Sequence, residues 1–356
     1  MKRELGGVNL PKMIRVLVVD DSIIARKTIM DGLSKSPLIE VAGYAINAMD
    51  AEHKVKQLNP DVMTCDVQMP GMTGIEFLKK LLPQHPLPVV LVSSLNLKVF
   101  DALHAGAVGF VRKPDGVQSR QGFVDSLVEA VIEAASAKVR RPAAVPKEQP
   151  DLSASLTMTP LRVPQPYLIG LGASTGGTEA TLEVMKRLPA DIPGMVIVQH
   201  MPPGFTKMYA ERLDRLCRME VREAVNGDRL HPGLALVAPA DLQCRVNRTA
   251  AGEYYVSCLP GDKVSGHRPS VDALFMSMAE NVRCKMIGII MTGMGADGAE
   301  GLLRMRRKGA YTIGQDEESS VVYGMPGVAF KKGAVCEQAS CERVASVLLR
   351  SLQTGK

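Results

Sequence analysis

Five polar residues in the first third of the chain each follow an apolar run, and together they could accept a phosphoryl group. They are Asp20, Asp21, Asp66, Ser93 and Lys113. The ends of parallel strands meet at one edge of a sheet, where clustered carboxylates repel one another and favour a hard cation such as Mg²⁺. A screened carboxylate can attack phosphorus, while a hydroxyl and an ammonium group bind the phosphoryl oxygens. Helix capping, the alternative role of such an Asp, explains one of these residues but not five on one edge.

A second set of residues, in the other half of the chain, has the types required for nucleophilic ester chemistry. Ser174 lies in Gly172-Ala173-Ser174-Thr175-Gly176, between an apolar run and a helical stretch, where helix N-terminal amides could stabilise an oxyanion. His200 ends the next apolar run and could be the base, and Asp297 follows a later run and could orient it. The order Ser, His, Asp disfavours an α/β-hydrolase fold, which runs Ser, Asp, His.

Other residues compete for the base and carboxylate roles: His231, His267, Asp272 and Asp316. Both histidines lie in segments rich in Gly and Pro, which we interpret as loops. The first aspartate follows a helix-start pattern, Pro269-Ser270, and the second belongs to an acidic turn. The preferred pair therefore remains His200 and Asp297.

The glycines of the serine segment also permit a different interpretation, a phosphate-binding turn. Gly170, Gly172 and Gly176 follow a strand in a loose dinucleotide-binding pattern. That pattern requires an acidic residue at the end of the next strand, but Gln199 and His200 are found there. Dinucleotide binding is therefore the less favoured alternative.

The elements that must position these residues alternate between strands and helices. In the first half, strands are predicted at 14–19, 41–45, 61–66, 88–94 and 109–114, and helices near 23–34, 49–58, 74–82 and 123–139. In the second half, strands are predicted in YLIGLGAS, GMVIVQH, LALVAPA, KMIGIIMTG and AYTIGQD. Such alternation predicts α/β domains with parallel, doubly wound sheets.

The chain is long enough, at 356 residues, for two domains of ordinary size. The Pro-rich stretch 141–166 shows no sustained periodicity and predicts an extended connection. We expect a first domain over 14–138, a linker over 139–166 and a second, mostly parallel domain over 167–350.

Composition bounds the class of protein. The apolar content of 46% and the charged content of 22% are typical of soluble α/β proteins, and no apolar run reaches the roughly 18 residues of a membrane span. The N-terminus lacks the apolar core of a signal peptide. Seven cysteines without CxxC spacing favour reduced thiols in the cytoplasm. The net charge of +6 is modest, and we interpret the basic residues near the linker as solvated rather than as a nucleic-acid patch.

The motifs of the first 135 residues resemble the response-regulator receiver family. They are Val-Asp20-Asp21-Ser, Asp66-Val-Gln68-Met-Pro-Gly, Val-Ser93-Ser and Arg-Lys113-Pro114. The resemblance implies a flavodoxin-like domain with five parallel strands and a phosphoacceptor at Asp66. It implies Mg²⁺ ligands from Asp20, Asp21, Asp66 and the Gln68 carbonyl, switch roles for Ser93 and Lys113, and a cis bond before Pro114. Thr73 replaces the Asp common in the family, and we expect it to cap the next helix.

The second half resembles the catalytic domain of the chemotaxis protein-glutamate methylesterase family. The resemblance covers GASTGGTEA (172–180), QHMPPGFTKMYAERLD (199–214), HRPSVDALF (267–275), TGMGADGAEGL (292–302) and QDEESSVVYGMP (315–326). It implies that Ser174 is the nucleophile, His200 the general base and acid, Asp297 its orienter, and Met294 a backbone N–H donor to the oxyanion. The esterase reaction would need no cofactor.

The two resemblances together imply a phosphorylation-activated enzyme that hydrolyses glutamate γ-methyl esters, and deamidates glutamines, on methyl-accepting chemoreceptors. The phosphodonor would be the chemotaxis histidine kinase, and the unphosphorylated first domain would cover the catalytic cleft. We expect a cytoplasmic monomer recruited to receptor arrays, with no nucleic-acid partner and no membrane insertion. A response regulator with a non-catalytic output domain is the alternative. It is disfavoured because the output half has no basic helix or helix-turn-helix pattern.

Overall fold

The computed structural model describes residues 3–5, 8–10, 13–93, 98–114, 120–139, 163 and 165–355. The chain divides into two compact units, Met1–Lys147 and Glu148–Lys356. Most of the predicted linker, 139–166, lies outside the described residues.

The first unit contains a five-stranded parallel sheet, as predicted, and a short N-terminal hairpin. Its elements are β1 (Arg3–Leu5), β2 (Val8–Leu10), β3 (Ile14–Val19), α1 (Ile23–Leu33), β4 (Ile39–Ala45), α2 (Ala48–Leu58), β5 (Val62–Asp66), α3 (Gly74–Leu81), β6 (Val89–Ser93), α4 (Lys98–His104), β7 (Gly109–Arg112) and α5 (Arg120–Ala135). The strand order β4-β3-β5-β6-β7 is that of flavodoxin-like folds. Its switch point lies between β3 and β5, the strands that Asp20 follows and Asp66 ends.

Local signals set the helix starts of the first unit. Ser22, Asn47 and Thr73 each accept a hydrogen bond from an amide of the following first turn. Thr73 forms a complete capping box with Glu76, so the expectation that this departure from the family pattern caps the helix is confirmed. Helix α4 and the hairpin were not predicted, because segments this short carry too little periodicity to separate from loops.

The second unit is built on a seven-stranded sheet in which every pair is parallel, with the order β10-β11-β9-β8-β14-β15-β16. Its elements are β8 (Tyr167–Ala173), α6 (Gly177–Met185), β9 (Met195–Gln199), α7 (Phe205–Leu216), β10 (Glu220–Glu223), β11 (Leu234–Val237), β12 (Gln243–Arg248), β13 (Tyr254–Leu259), α8 (Val271–Asn281), β14 (Lys285–Ile290), α9 (Ala299–Arg307), β15 (Tyr311–Gln315), α10 (Met325–Lys331), β16 (Glu337–Ala339) and α11 (Cys341–Thr354). All five predicted strands are present.

The helices of the second unit pack in two groups, α8 with α9 and α10, and α6 with α7 and α11. The antiparallel hairpin β12–β13 packs on α8. Its strands alternate buried and exposed residues, so they lack the continuous apolar run that marks the buried parallel strands, and they were not predicted. Within the described residues, no helix is both long and apolar enough to cross a bilayer.

Candidate functional site

The first cluster of chemical groups lies at the switch point of the five-stranded sheet. One carboxylate oxygen from each of Asp20, Asp21 and Asp66 lies within 4.8 Å of the others. Asp20 and Asp66 are buried, and Asp21 is exposed. The amide of Gln68 donates to Asp66 Oδ1 at 3.2 Å, so Gln68 belongs to the loop that shapes this site.

Lys113, at the end of β7, holds two of these carboxylates together. Its Nζ lies 2.6 Å from Asp66 Oδ2 and 2.8 Å from Asp20 Oδ2. The pKa of Asp66 is raised, chiefly by burial and also by the charge of Asp20, although Lys113 and the Gln68 amide oppose the rise. Burial by itself lowers the pKa of Lys113, but its ion pairs with Asp20 and Asp66 leave that pKa above the ordinary value. Lys113 therefore remains protonated beside the two carboxylates.

Two buried oxygen atoms in this cluster have unused hydrogen-bonding capacity. Ser93 is 1% exposed, and its Oγ has no hydrogen-bond partner among the described residues. Asp20 Oδ2 lies at ion-pair distance from Lys113 but likewise makes no directed hydrogen bond there. Unsatisfied buried polar atoms are costly and rare. A divalent cation among the carboxylates and a phosphoryl group near Ser93 would satisfy both atoms, so the residues fit the implied Mg²⁺.

The peptide bond between Lys113 and Pro114 is trans, which corrects the expected cis isomer. The cis bond among the described residues joins Arg268 and Pro269. The trans isomer of an X–Pro bond is the more stable by about 0.5–1 kcal/mol. Lys113 reaches both carboxylates with that isomer, so its ion pairs do not require the cis form.

The second cluster lies at the ends of three neighbouring strands, β9, β8 and β14. Ser174 follows β8, His200 follows β9, and Asp297 lies in the loop after β14. The amide of Ser174 donates to Thr292 O at 3.0 Å, and the amide of His200 donates to Ala173 O at 3.2 Å. The sheet therefore brings the three predicted residues to the switch point of the second unit, where ligands bind in open parallel sheets.

Asp297 is a buried carboxylate held by the N-terminus of α8. Ser270 Oγ and the Asp272 amide donate to Oδ1 at 2.7 and 2.9 Å, and the Val271 amide donates to Oδ2 at 2.8 Å. Burial alone would raise the pKa of Asp297, but the hydrogen bond and charge of His200 and the donors from α8 lower it overall. Asp297 is therefore ionised, as an orienting carboxylate must be.

The ring of His200 has one nitrogen engaged and one free. Nε2 lies 2.9 Å from Asp297 Oδ2. Because an ionised carboxylate only accepts, Nε2 carries the proton in the neutral ring and Nδ1 has the lone pair. Nδ1 is buried without a hydrogen-bond partner among the described residues. This lone pair is the basic site that the ring offers.

The backbone of Ser174 is fixed by two further hydrogen bonds, while its hydroxyl is free. Its carbonyl accepts from the Gly177 amide at 2.7 Å and from Gln199 Nε2 at 2.8 Å. The hydroxyl makes no hydrogen bond to His200, whose nitrogens are otherwise accounted for. Such nucleophile–base bonds are often long without substrate and tighten when substrate binds.

Met294 lies in the loop that passes beside Ser174. A Cβ added to Gly293 would lie 2.7 Å from Cβ of Ser174, so the two chains are in close contact. The Gly293 carbonyl accepts from the Gly324 and Met325 amides at 3.1 and 2.8 Å. The amide of Met294 donates to no acceptor within the described ranges. It is available to a developing oxyanion.

Three of the four rival residues lie outside the cluster of Ser174, His200 and Asp297 or serve helix α8 and a turn. His231 is exposed beside Pro232 O, and Asp272 lies in the first turn of α8, as predicted, where it accepts from the Gly301 amide. Asp316 caps its own turn through Ser319. His267 is different, since its ring stacks on that of His200. Sequence reasoning treated it as a loop residue outside the site.

The donors from α8 were also missed, although Pro269-Ser270 was recognised as a helix start. A helix N-terminus presents unpaired amides to an anion, so this signal was available. The glycines of the serine segment have packing roles. A Cβ at Gly172 would clash with Val271, and Gly176 adopts φ 76°. Packing explains the glycine at position 172, and backbone conformation explains the one at position 176, without a bound dinucleotide.

Comparisons with known proteins match both units of the chain to known families. The CheB methylesterase family matches residues 169–348, and the response regulator receiver domain matches residues 16–120. A protein-glutamate methylesterase/protein-glutamine glutaminase from Syntrophomonas wolfei is 48% identical over 95% of this chain and 98% of its own length. One from Syntrophotalea carbinolica is 46% identical over 94% of this chain and 97% of its own length.

A solved structure extends the match to the fold of the second unit. The crystal structure of the Thermotoga maritima CheB methylesterase catalytic domain is 33% identical, has a TM-score of 0.51, and covers 52% of this chain and 98% of that chain. The receiver match precedes the methylesterase match along the chain, and the relatives align over nearly its full length. The chain therefore belongs to the CheB methylesterase family and carries a response regulator receiver domain before its methylesterase domain.

Proposed function

We propose that this protein hydrolyses γ-methyl esters of glutamate residues, and the side-chain amides of glutamines, on chemoreceptor proteins. The observation that carries the proposal is the state of the His200 ring. Its Nδ1 is free, and its Nε2 is held by ionised Asp297. His200 follows the strand next to the one that Ser174 follows. The names of the relatives, which specify methylesterase and glutaminase activity, support the substrate class.

The reaction proceeds by acyl transfer. Ser174 Oγ attacks the γ-carbonyl carbon, and its proton moves to Nδ1 of His200. Asp297 stabilises the imidazolium, and the Met294 amide donates to the oxyanion. The C–O bond to the methoxy group then breaks, and methanol leaves with the proton from His200. Water, deprotonated by the same nitrogen, hydrolyses the acyl-enzyme and yields a glutamate carboxylate.

Deamidation uses the same steps with a different leaving group. The tetrahedral intermediate of a glutamine loses ammonia, which takes its proton from His200. Both reactions therefore produce the same acyl-enzyme on Ser174 and the same glutamate product.

We propose that phosphorylation of Asp66 activates the esterase. Mg²⁺, held by Asp20, Asp21, Asp66 and the Gln68 carbonyl, would supply charge neutralisation for the incoming phosphoryl group. Ser93 and Lys113 would bind its oxygens, a role supported by the free Ser93 Oγ and the ammonium group of Lys113. The donor would be a chemotaxis histidine kinase, and the protein would be a monomer that gathers at receptor arrays.

The direct test of the proposed function is methanol release from methylated receptors. Acetyl phosphate with Mg²⁺ is expected to raise the initial rate. If purified protein released no methanol with or without the phosphodonor, the substrate assignment would be wrong.

Replacing Asp66 with Asn should remove the response to acetyl phosphate while leaving the unstimulated rate near that of the parent. An amide nitrogen and its carbonyl oxygen cannot replace the carboxylate as a nucleophile toward phosphorus. The measurement is the ratio of initial rates with and without acetyl phosphate. Asp31→Asn, at an exposed position of α1, is the matched control and should respond like the parent. An equal response of Asp66→Asn and the parent would refute activation through this residue.

A fragment of residues 160–356 should be faster than the unphosphorylated whole protein. The catalytic unit is compact on its own, and the homologous Thermotoga maritima domain has been crystallised separately. Inhibition in the whole chain would then come from the receiver domain, and removing that domain relieves it. The comparison is methanol release per mole of enzyme. A folded fragment that is slower than the whole protein would show that the receiver activates and does not mask.

A further inference from the structure

The ring of His267 lies flat against the ring of His200. The ring centroids are 3.9 Å apart, and the planes are inclined by 11°. Asp297 contacts the edge of the His200 ring through Nε2, whereas His267 covers one of its faces. The two contacts therefore restrain different motions of the same ring.

His267 is held in place by a tight turn. Val264 and His267 exchange two backbone hydrogen bonds of 3.0 and 2.9 Å. The two residues between them, Ser265 and Gly266, have φ values of 51° and 85°, which is the pattern of a type I′ turn. Gln243 Nε2 also donates to the His267 carbonyl at 3.0 Å. The backbone that carries the His267 ring is therefore fixed by hydrogen bonds on both sides of the turn.

The same segment supports the carboxylate of the site. Ser265 Oγ donates to Asp272 Oδ2 at 2.7 Å, which ties the turn to the first turn of α8. That turn, with Ser270 before it, supplies the donors to Asp297. A short stretch of chain therefore sets both the edge partner and the face partner of His200.

His267 is uncharged at neutral pH. Burial is the largest cause that lowers the pKa of His267, and the nearby charges of His200 and Lys263 lower it further. Asp297 opposes these effects, and the resulting pKa of His267 is about 4. A neutral ring can stack on His200 in both of its protonation states without repelling the imidazolium that forms during catalysis.

We propose that His267 is a positioning residue that fixes the ring plane of His200, so that the Nδ1 lone pair stays available to Ser174. The hydrogen bond at Nε2 restrains the far edge of the ring but permits rotation about Cβ–Cγ, which would swing Nδ1 away. The stacked face of His267 prevents that rotation. This inference rests on the proposed function and adds a residue to its machinery.

The test compares His267→Ala, which removes the face, with His267→Phe, which keeps a flat uncharged ring. His267→Ala is expected to lower kcat by roughly 10- to 100-fold with little change in KM, since misplacement of a catalytic group by about 1 Å costs on that order. His267→Phe should recover most of the rate and keep the parent pH profile of kcat/KM above the pKa of His267.

His231→Ala is the matched control, because His231 is an exposed histidine of the same unit, and it should behave like the parent. An unchanged kcat in His267→Ala, or a change confined to KM, would overturn the proposal. So would a Phe variant as slow as the Ala variant, because the imidazole itself would then be required.

Labelling of Ser174 by an organophosphonate separates this inference from the proposed function. The labelling rate depends on activation of Ser174 but not on the receptor substrate, and it should fall in His267→Ala and return in His267→Phe. A parent protein that is labelled but releases no methanol would refute the substrate and leave the His267 test intact. Equal labelling rates in all variants would refute the positioning role.

Discussion

Ser174→Ala should lower turnover on methylated receptors by about 10⁶-fold, as loss of the nucleophile does in other Ser-His-Asp enzymes. Within the part of the chain that the structure describes, no other serine at the ends of β8, β9 and β14 has a free Oγ beside a base. The residual rate would come from binding and from donors such as the Met294 amide.

The variant should fold like the parent. Ser174 Oγ makes no hydrogen bond to the described residues, so its removal leaves no buried donor or acceptor unpaired. Thermal unfolding and circular dichroism check this point. The matched control is Ser346→Ala, an exposed serine of α11, which should keep full activity.

An organophosphonate provides a second measurement on the same residue. It should label Ser174 in the parent and leave Ser174→Ala unlabelled. If another serine were modified and Ser174→Ala remained active, the assignment of Ser174 as the nucleophile would be wrong.

His200→Ala should cost about as much as the loss of Ser174, roughly 10⁶-fold, and Asp297→Asn should cost less, on the order of 10⁴-fold. His200 transfers the proton, whereas Asp297 orients the ring and stabilises its charge. The double variant Ser174→Ala with His200→Ala should be hardly slower than either single variant, because the residues act as one unit.

Asp297→Asn should also lower the melting temperature. The carboxylate accepts four hydrogen bonds, from His200, Ser270, Val271 and Asp272. An amide at this position directs an NH₂ group at some of these donors and leaves them unpaired in a buried site, which costs about 1–3 kcal/mol per group. His200→Ala removes one donor only, so its melting temperature should fall less.

Initial rates of the purified variants decide the ranking, with circular dichroism as the check on folding. A folded His200→Ala enzyme that retains more than about a tenth of its rate, beside an inactive His267→Ala and an equally inactive His267→Phe, would move the base to His267.

Much of this arrangement was predictable because parallel strands carry their functional residues at one edge. Runs such as GMVIVQH end in the residue of interest, so strand order alone brings Ser174 and His200 together. Asp20 and Asp66 meet for the same reason in the first sheet. The sequence does not state which strands lie side by side in each sheet, but the rules for βαβ connections allow few strand orders.

What could not be predicted depends on contacts between distant segments. The stack of His267 on His200 joins residues 67 positions apart through a turn whose placement is set by Gln243 and Asp272. No periodicity records such a contact. The alternating strands β12 and β13 were missed because local pattern is a weak guide where tertiary packing decides. The cis bond before Pro114 was expected from the family resemblance alone, and the structure has the trans isomer.

The contact between Gly172 and Val271 has a consequence for how the serine motif is interpreted. In α/β-hydrolases the glycines of G-x-S-x-G permit a sharp strand-to-helix turn around the nucleophile. Here the first glycine instead admits Val271, whose amide holds Asp297, and Gly298 faces the same valine. The first glycine of the five-letter pattern therefore has a different steric reason in the two folds, whereas Gly176, with φ 76° at the start of α6, still serves the turn. In this architecture, tolerance of larger residues at positions 172 and 298 should vary inversely with the size of residue 271. This constraint on the side-chain volumes at positions 172, 271 and 298 would distinguish this fold from α/β-hydrolases better than the G-x-S-x-G motif does.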